Sequence, residues 1–372
     1  MAAAVAALVG VAGPGPAGAA PSCSFKVVGH PNSAATEYDQ LNGIDAASAK
    51  NVWAVGSSEA AGEPLTLHFN GSKWKLVPAP DKGATTELED VTVLGPANAW
   101  AVGYYSPSGG GHIKTLVEHW NGTKWAVVAS PSPISGGDNF LFGVDAVSAS
   151  NVWAVGSNGR PGTKTLIEHW NGHVWASVHG ASLPVGGNLS DVAAISAKNV
   201  LAVGHVGVVG STDALVERFD GSSWTRVPAP TNETGADLAG ISAPSATAEW
   251  AAGSRGGTAA IQTLAMRNTG SGWTEVPSPN VGGNDTINYF NDVGGVSATL
   301  AWAVGEHDSN ANVRRTLVEH FTNGSWDVVA SPNSGSGDNQ LFAVDAVTNT
   351  NVWAVGKASH PIGSTGLILH GC

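Results

Sequence analysis

The apolar residues of this chain fall in short runs of about five to seven positions, separated by connections rich in Ser, Thr, Asn and Gly. Residues 141–178 show the pattern most plainly. Leu141 to Val147, Asn151 to Gly156, Thr165 to Trp170 and Val174 to Val178 are each rich in Val, Ile, Leu, Thr or Trp and have the length of β-strands. Asn171-Gly172 joins the last two, and both residue types tolerate the positive φ of a two-residue hairpin turn. The same signal returns as Asn70-Gly71, Asn121-Gly122, Asp220-Gly221 and Asn323-Gly324. Four short strands, A to D, are predicted for this unit.

The unit repeats. Asn151-Val152-Trp153-Ala154-Val155-Gly156 recurs intact at 51–56 and 351–356, with weaker copies around Trp100, Leu201, Trp250 and Trp302. Positions 53, 100, 153, 201, 250, 302 and 353 have a mean spacing of 50 residues, so seven copies fill residues 21–372 as one domain. Seven sets of four antiparallel strands predict an all-β, seven-bladed propeller. The chain ends support ring closure. The last copy stops after a C strand (Leu367 to His370), whereas Phe25-Lys26-Val27-Val28 resembles a D strand that has lost its A to C. The N-terminal strand should therefore complete the last blade and remove the open sheet edge. Cys23 and Cys372, the only cysteines, align with Thr123 and Asn121 on either side of a C–D turn, and are predicted to form a disulfide.

Residues present in nearly every copy read as scaffold. The strand B Trp and the strand D aromatics (Phe25, Trp74, Trp125, Trp175, Trp224, Trp273, Trp326) should fill the wedges between blades, with sugar-stacking pockets as the alternative use of so many indoles. His68, His119, His169, His320 and His370 occur once per blade without paired ligands, which suits a structural hydrogen bond better than a metal site.

Composition narrows the function. Charged residues are 12% and the net charge is −12, with the basic residues scattered, so nucleic acid is not expected as a partner. Residues 1–20 (MAAAVAALVGVAGPGPAGAA) read as a secretory signal peptide cleaved after Ala19 or Ala20, or else as an Ala/Gly/Pro tail. No later run has the apolar length of a membrane span. A secreted, extracellular, monomeric protein is expected, with no cofactor and no metal.

Function should lie where the blades differ. The B–C and D–A connections share the face around the channel mouth, and the residue after the repeated glycine varies: Ser57, Tyr104, Ser157, His205, Ser254, Glu306 and Lys357. Near the top of strand A stand Asn42, Glu89, Asp90, Phe140, Asp191, Tyr289, Asn291 and Asp292. Expected ligand-binding residues are Glu89, Asp90, Tyr104, Phe140, Asp191, His205, Tyr289, Asp292, Glu306 and Lys357, in a polar funnel with aromatic walls. Catalytic candidates are His205, Asp191, Asp292 and Glu306, with His205 and a carboxylate as a general-base set. Solvated loop residues are the alternative reading of each. No G-x-S-x-G, H-E-x-x-H or Walker loop occurs.

The unit N-V-W-A-V-G…T-L-[VI]-E-H-W-N-G-x-x-W resembles a repeat of secreted propeller proteins described as kelch-like or galactose-oxidase-like, over residues 23–372. The resemblance implies the fold. It does not imply galactose oxidase activity, since that copper site needs a Cys cross-linked to Tyr and the cysteines here are terminal. The expected function is binding of an extracellular ligand, a carbohydrate first and a protein second, at the channel mouth or between blades. The alternative is a glycoside hydrolase or polysaccharide lyase working in the funnel.

Overall fold

The structure, a computed structural model, describes residues 23–372 apart from 34–37, 59–61, 160–163, 209–210, 231–234, 258–259, 284–285, 310–312 and 362. The signal peptide predicted over 1–20 lies outside the described residues. The described residues form seven four-stranded antiparallel sheets, each with strands in the order A-B-C-D, arranged as a ring. Blade 1 covers residues 39–76, blade 2 85–127, blade 3 139–178, blade 4 187–227, blade 5 237–275 and blade 6 288–328. Blade 7 combines residues 339–371 with 25–27. In blade 3 the strands are Asn139–Ser148, Asn151–Asn158, Lys164–Trp170 and Trp175–Val178. Among the described residues no helix is long and apolar enough to cross a membrane.

Closure follows the sequence expectation. Phe25, Lys26 and Val27 pair antiparallel with Gly371, His370 and Leu369. Cys23 and Cys372 are joined as a disulfide with their Cα atoms 4.9 Å apart, where other blades place a C–D turn. In the chain-entropy account such a bond removes the freedom of a loop of 349 residues from the unfolded chain.

Seven apolar clusters lie between neighbouring blades. Between blades 1 and 2, Trp53 packs against Trp120 and edge-on against Trp125 (centroids 4.8 and 5.0 Å). The triad recurs as Trp100, Trp170 and Trp175, then as Trp153, Phe219 and Trp224. All the strand B indoles are at most 3% exposed, so none offers a face to a sugar. The sugar-stacking use of these indoles is thereby excluded. Each repeated histidine stacks on the Trp beside it and reaches an Asn through Nε2. His68, His119, His169 and His370 meet Asn51, Asn98, Asn151 and Asn351 at 2.8 Å. His320 turns to Asn349 of the next blade instead. Where Arg replaces His, Arg218 forks onto the buried Glu249 (2.8 and 2.7 Å), and Arg267 lies over Trp250 and Phe321.

Candidate functional site at the channel mouth

The site is shaped by the glycine that ends each N-V-W-A-V-G motif. A Cβ on Gly56, Gly103, Gly156, Gly204, Gly253, Gly305 or Gly356 would stand 1.9–2.1 Å from a strand A carbonyl oxygen. Only glycine lets the two strands approach so closely. Directly beyond that contact every strand A slips register by one residue: between Leu41 and Gly43, Leu88 and Asp90, Leu141 and Gly143, Leu189 and Asp191, Leu238 and Gly240, Phe290 and Asp292, and Leu341 and Ala343. The extra residue of such a bulge has no ladder partner, and its side chain is re-aimed. Six of these residues, Asn42, Glu89, Phe142, Ser190, Asn291 and Phe342, line a cavity of about 430 Å³ together with Gln40 and Asn188.

The blade-specific residues after the repeated glycine stand at the rim, opposite strand A. Tyr104 faces Glu87, His205 faces Asn188, Glu306 faces Tyr289 and Lys357 faces Gln340. Tyr104 Oη donates to Glu87 Oε2 at 2.7 Å. Its ring meets Phe140 edge-on at 4.9 Å, and Phe140 stacks on Phe142 at 5.8 Å. Burial, and then repulsion by Glu87, push Glu89 up to about 7, with the nearby Tyr104 hydroxyl opposing part of the rise. On the opposite side Glu306 is buried and accepts from Asn291 (2.6 Å), Gln340 (3.1 Å) and Arg314 (3.2 Å). Arg314 also lies over the Tyr289 ring, and Lys357 over that of Phe342.

A second ring of carboxylates lines a separate cavity of about 290 Å³ at the waist of the channel: Asp45, Asp90, Asp145, Asp191, Asp292 and Asp345. These stitch the blades together. Each of Asp45, Asp90, Asp145, Asp191 and Asp292 accepts the N–H of the following residue and one N–H of the next blade. The second donors are Val93, Val144, Ala194, Ile241 and Val344. Asp345 lies near the Ala346 and Ala46 amides, but its Oδ2 has no hydrogen-bond partner. Only the step from blade 5 to blade 6 lacks a carboxylate, because blade 5 carries Gly240 and Ser242 at the two positions. Glycine precedes three of these residues around the ring for a steric reason. A Cβ on Gly43, Gly143 or Gly240 would stand 2.7 Å from the Cα of Asp90, Asp191 or Asp292. Burial pushes all six carboxyls up, Asp292 to about 6 and Asp45 to about 7, and mutual repulsion adds to Asp45, Asp90, Asp191 and Asp345.

The expected site residues thus divide in two. Glu89, Tyr104, Phe140, Tyr289, Glu306, Lys357 and His205 surround the mouth. Asp90, Asp191 and Asp292 lie one layer down, their oxygens engaged by backbone amides, which corrects their placement in the binding funnel. The general-base set is not assembled. His205 Nδ1 lies 3.2 Å from Asp237 Oδ1, and no described hydrogen bond or ion pair joins it to Asp191, Asp292 or Glu306. That Asp237 contact, with its hydrogen bond first, raises His205 above the ordinary imidazole value. Sequence reasoning missed Phe142, Phe342, Asn188, Ser190 and Gln40. The signal that would have found the bulge residues is their place one residue past the strand A partner of the repeated glycine.

No protein-family model matches the chain, and no curated protein matches it. Solved structures do. YCF48 bound to D1 peptide aligns over 93% of this chain and 96% of its own, with TM-score 0.57 and 11% identity. YCF48 from Cyanidioschyzon merolae aligns over 93% and 98%, with TM-score 0.57 and 14% identity. A polysaccharide lyase, the PL25 ulvan lyase bound to -[GlcA(1-4)Rha3S]-, aligns over 93% and 94%, with TM-score 0.55 and 10% identity. At these identities the likeness is one of fold.

Proposed function

We propose that this protein binds an extracellular glycan at the channel mouth. The observation that carries the reading is the composition of the bulge ring. Two half-exposed phenylalanines, Phe142 and Phe342, stand among the amides of Gln40, Asn42, Asn188 and Asn291 in one open cavity. Apolar platforms with a few fixed polar groups suit a sugar ring, which has an apolar face and a hydroxylated edge. The strand B and strand D indoles are closed off between blades. A glycan array followed by calorimetric titration tests the reading. One site per chain is expected, weakened at least about tenfold by Phe142→Ala with Phe342→Ala. Several equivalent sites per chain, or binding indifferent to both phenylalanines, would refute it.

A second reading, a carbohydrate-active enzyme, has one observation in its favour. Tyr104 and Glu89 are in contact at the mouth, and Glu89 is poised near neutrality, a value suited to proton transfer. The lyase among the structural neighbours is consistent with this reading and does not establish it. Incubation with acidic and neutral polysaccharides decides. Chain cleavage that is lost in Tyr104→Phe, with the fold intact, would make the protein an enzyme.

A further inference from the structure

We propose that the mouth recognises a sugar carrying a protonated amine, a glucosamine-type unit whose ammonium group docks beside Glu89. This rests on the mouth being a glycan site and adds the chemistry of its ligand.

Two amides of the cavity wall are fixed in orientation and leave an oxygen open. Asn42 Nδ2 donates to Leu88 O at 3.0 Å, and Asn291 Nδ2 donates to Leu341 O at 2.8 Å and to Glu306. A backbone carbonyl can only accept, so both amides are fixed in orientation. Their oxygens accept no described hydrogen bond and remain as acceptors. Asn188 donates its own nitrogen to Ser190 Oγ at 3.2 Å. Asn42 and Asn291 thus hold two fixed acceptors towards the cavity, suited to donors on a ligand.

Charge points the same way. Glu89 lines the cavity with Glu87 close by, and among the described residues no Lys or Arg pairs with it. The cations of the rim are engaged elsewhere, Arg314 by Glu306 and Tyr289, Lys357 by Gln40 and the Phe342 ring. A ligand ammonium would supply three donors and the positive charge that Glu89 lacks, and so return it to its ionised form. Phe140 and Phe142 next to the carboxylates give the sugar ring an apolar surface to lie on.

The β-1,4-linked pentamers of glucosamine, N-acetylglucosamine and glucose share one backbone and differ only at carbon 2, which makes them the probes. Calorimetry near pH 6 should show the glucosamine pentamer binding about tenfold tighter than the other two, as a charge-assisted hydrogen bond implies. Glu89→Gln should bring the three within about twofold of one another. Asp220→Asn, in an exposed C–D turn on the opposite face, should keep the preference. Equal loss in Asp220→Asn would assign the preference to overall charge and overturn the inference. If glucose or N-acetylglucosamine pentamers bind as tightly as the amine form, the amine is refuted and the glycan reading stands. If none of the three binds, the amine is again refuted, and the glycan array decides the broader reading alone.

Discussion

Glu118, Glu168, Glu217 and Glu319 occupy one position of strand C, the Glu of the E-H-W motif, and all four are fully buried. Each faces the preceding blade, on the same side of its strand as the leucine two residues before it, such as Leu166 beside Trp100. Neither carboxyl oxygen of Glu118, Glu168 or Glu319 has a hydrogen-bond partner. Glu217 differs, because its Oε2 accepts the Ala181 N–H at 2.9 Å. The reason lies in the connection after strand D. The residues matching Ala181 in the blades that face the other three are Pro80, Pro131 and Pro279, which have no N–H to give. Burial accordingly pushes Glu168 up to about 9 and Glu118 and Glu319 to about 8, with Asp327 adding to Glu319. Glu217 reaches only about 7, helped by Ala181 and Arg226.

Such carboxyls are neutral in the folded protein and ionised in the unfolded chain above the ordinary value of 4.5. Folding then takes up protons, so stability is greatest below that value and falls as pH rises towards the folded value. For Glu168 alone, placing the proton at pH 7 costs roughly 3 kcal/mol. Glu168→Gln keeps the shape and removes the proton requirement. Urea unfolding of both proteins from about pH 5 to pH 8 measures the effect. The variant should match or fall slightly below the parent at the acid end and exceed it by a few kcal/mol at the alkaline end, the buried amide taking back part of the gain. Glu217→Gln should show a smaller pH dependence, and Ala181→Pro should raise it. A parent protein whose stability is flat over this range, or a Glu168→Gln effect that does not vary with pH, would refute the reasoning.

Three further outcomes follow from the geometry. Cys23→Ser with Cys372→Ser leaves the three-residue N-terminal strand to hold the ring shut, so differential scanning calorimetry should show stability falling by roughly 3–5 kcal/mol. An unchanged melting temperature would contradict the closure argument. Gly156→Ala brings a Cβ to 2.1 Å from Phe140 O and should destabilise by at least about 3 kcal/mol in chemical unfolding, whereas Gly109→Ala, with open space around it, should be near neutral. Gly240→Ala drives a Cβ towards the Asp292 carboxylate and should loosen blade 5 against blade 6, seen as faster amide exchange at Val293 and Val344.

The architecture was legible because it is repeated. Seven spaced copies of one Trp motif, Asn-Gly turns between strands C and D, and a D-like start matching a truncated end determine blade number, strand order and the disulfide without reference to any side-chain contact. The mouth was only half legible, and the bulge explains why. In a regular strand Glu89 and Asp90 would point to opposite faces of the sheet, and Asn291 and Asp292 likewise. In this ring strand A is innermost and slips at that step. Glu89 and Asn291 consequently enter the mouth, while Asp90 and Asp292 descend to the waist and accept amides of the next blade. Residue type gave no warning, since adjacent acidic or amide residues look alike in a sequence. The phenylalanines at 142 and 342 were overlooked for the same reason, as apolar residues in a strand that read as core. What distinguishes them is register against Gly156 and Gly356, whose close approach to strand A forces the slip. Any repeat in this chain that kept its glycine but varied the unpaired bulge residue, one past the glycine's strand A partner, would therefore alter the ligand surface without disturbing the ring. That separation lets seven near-identical blades carry one asymmetric site.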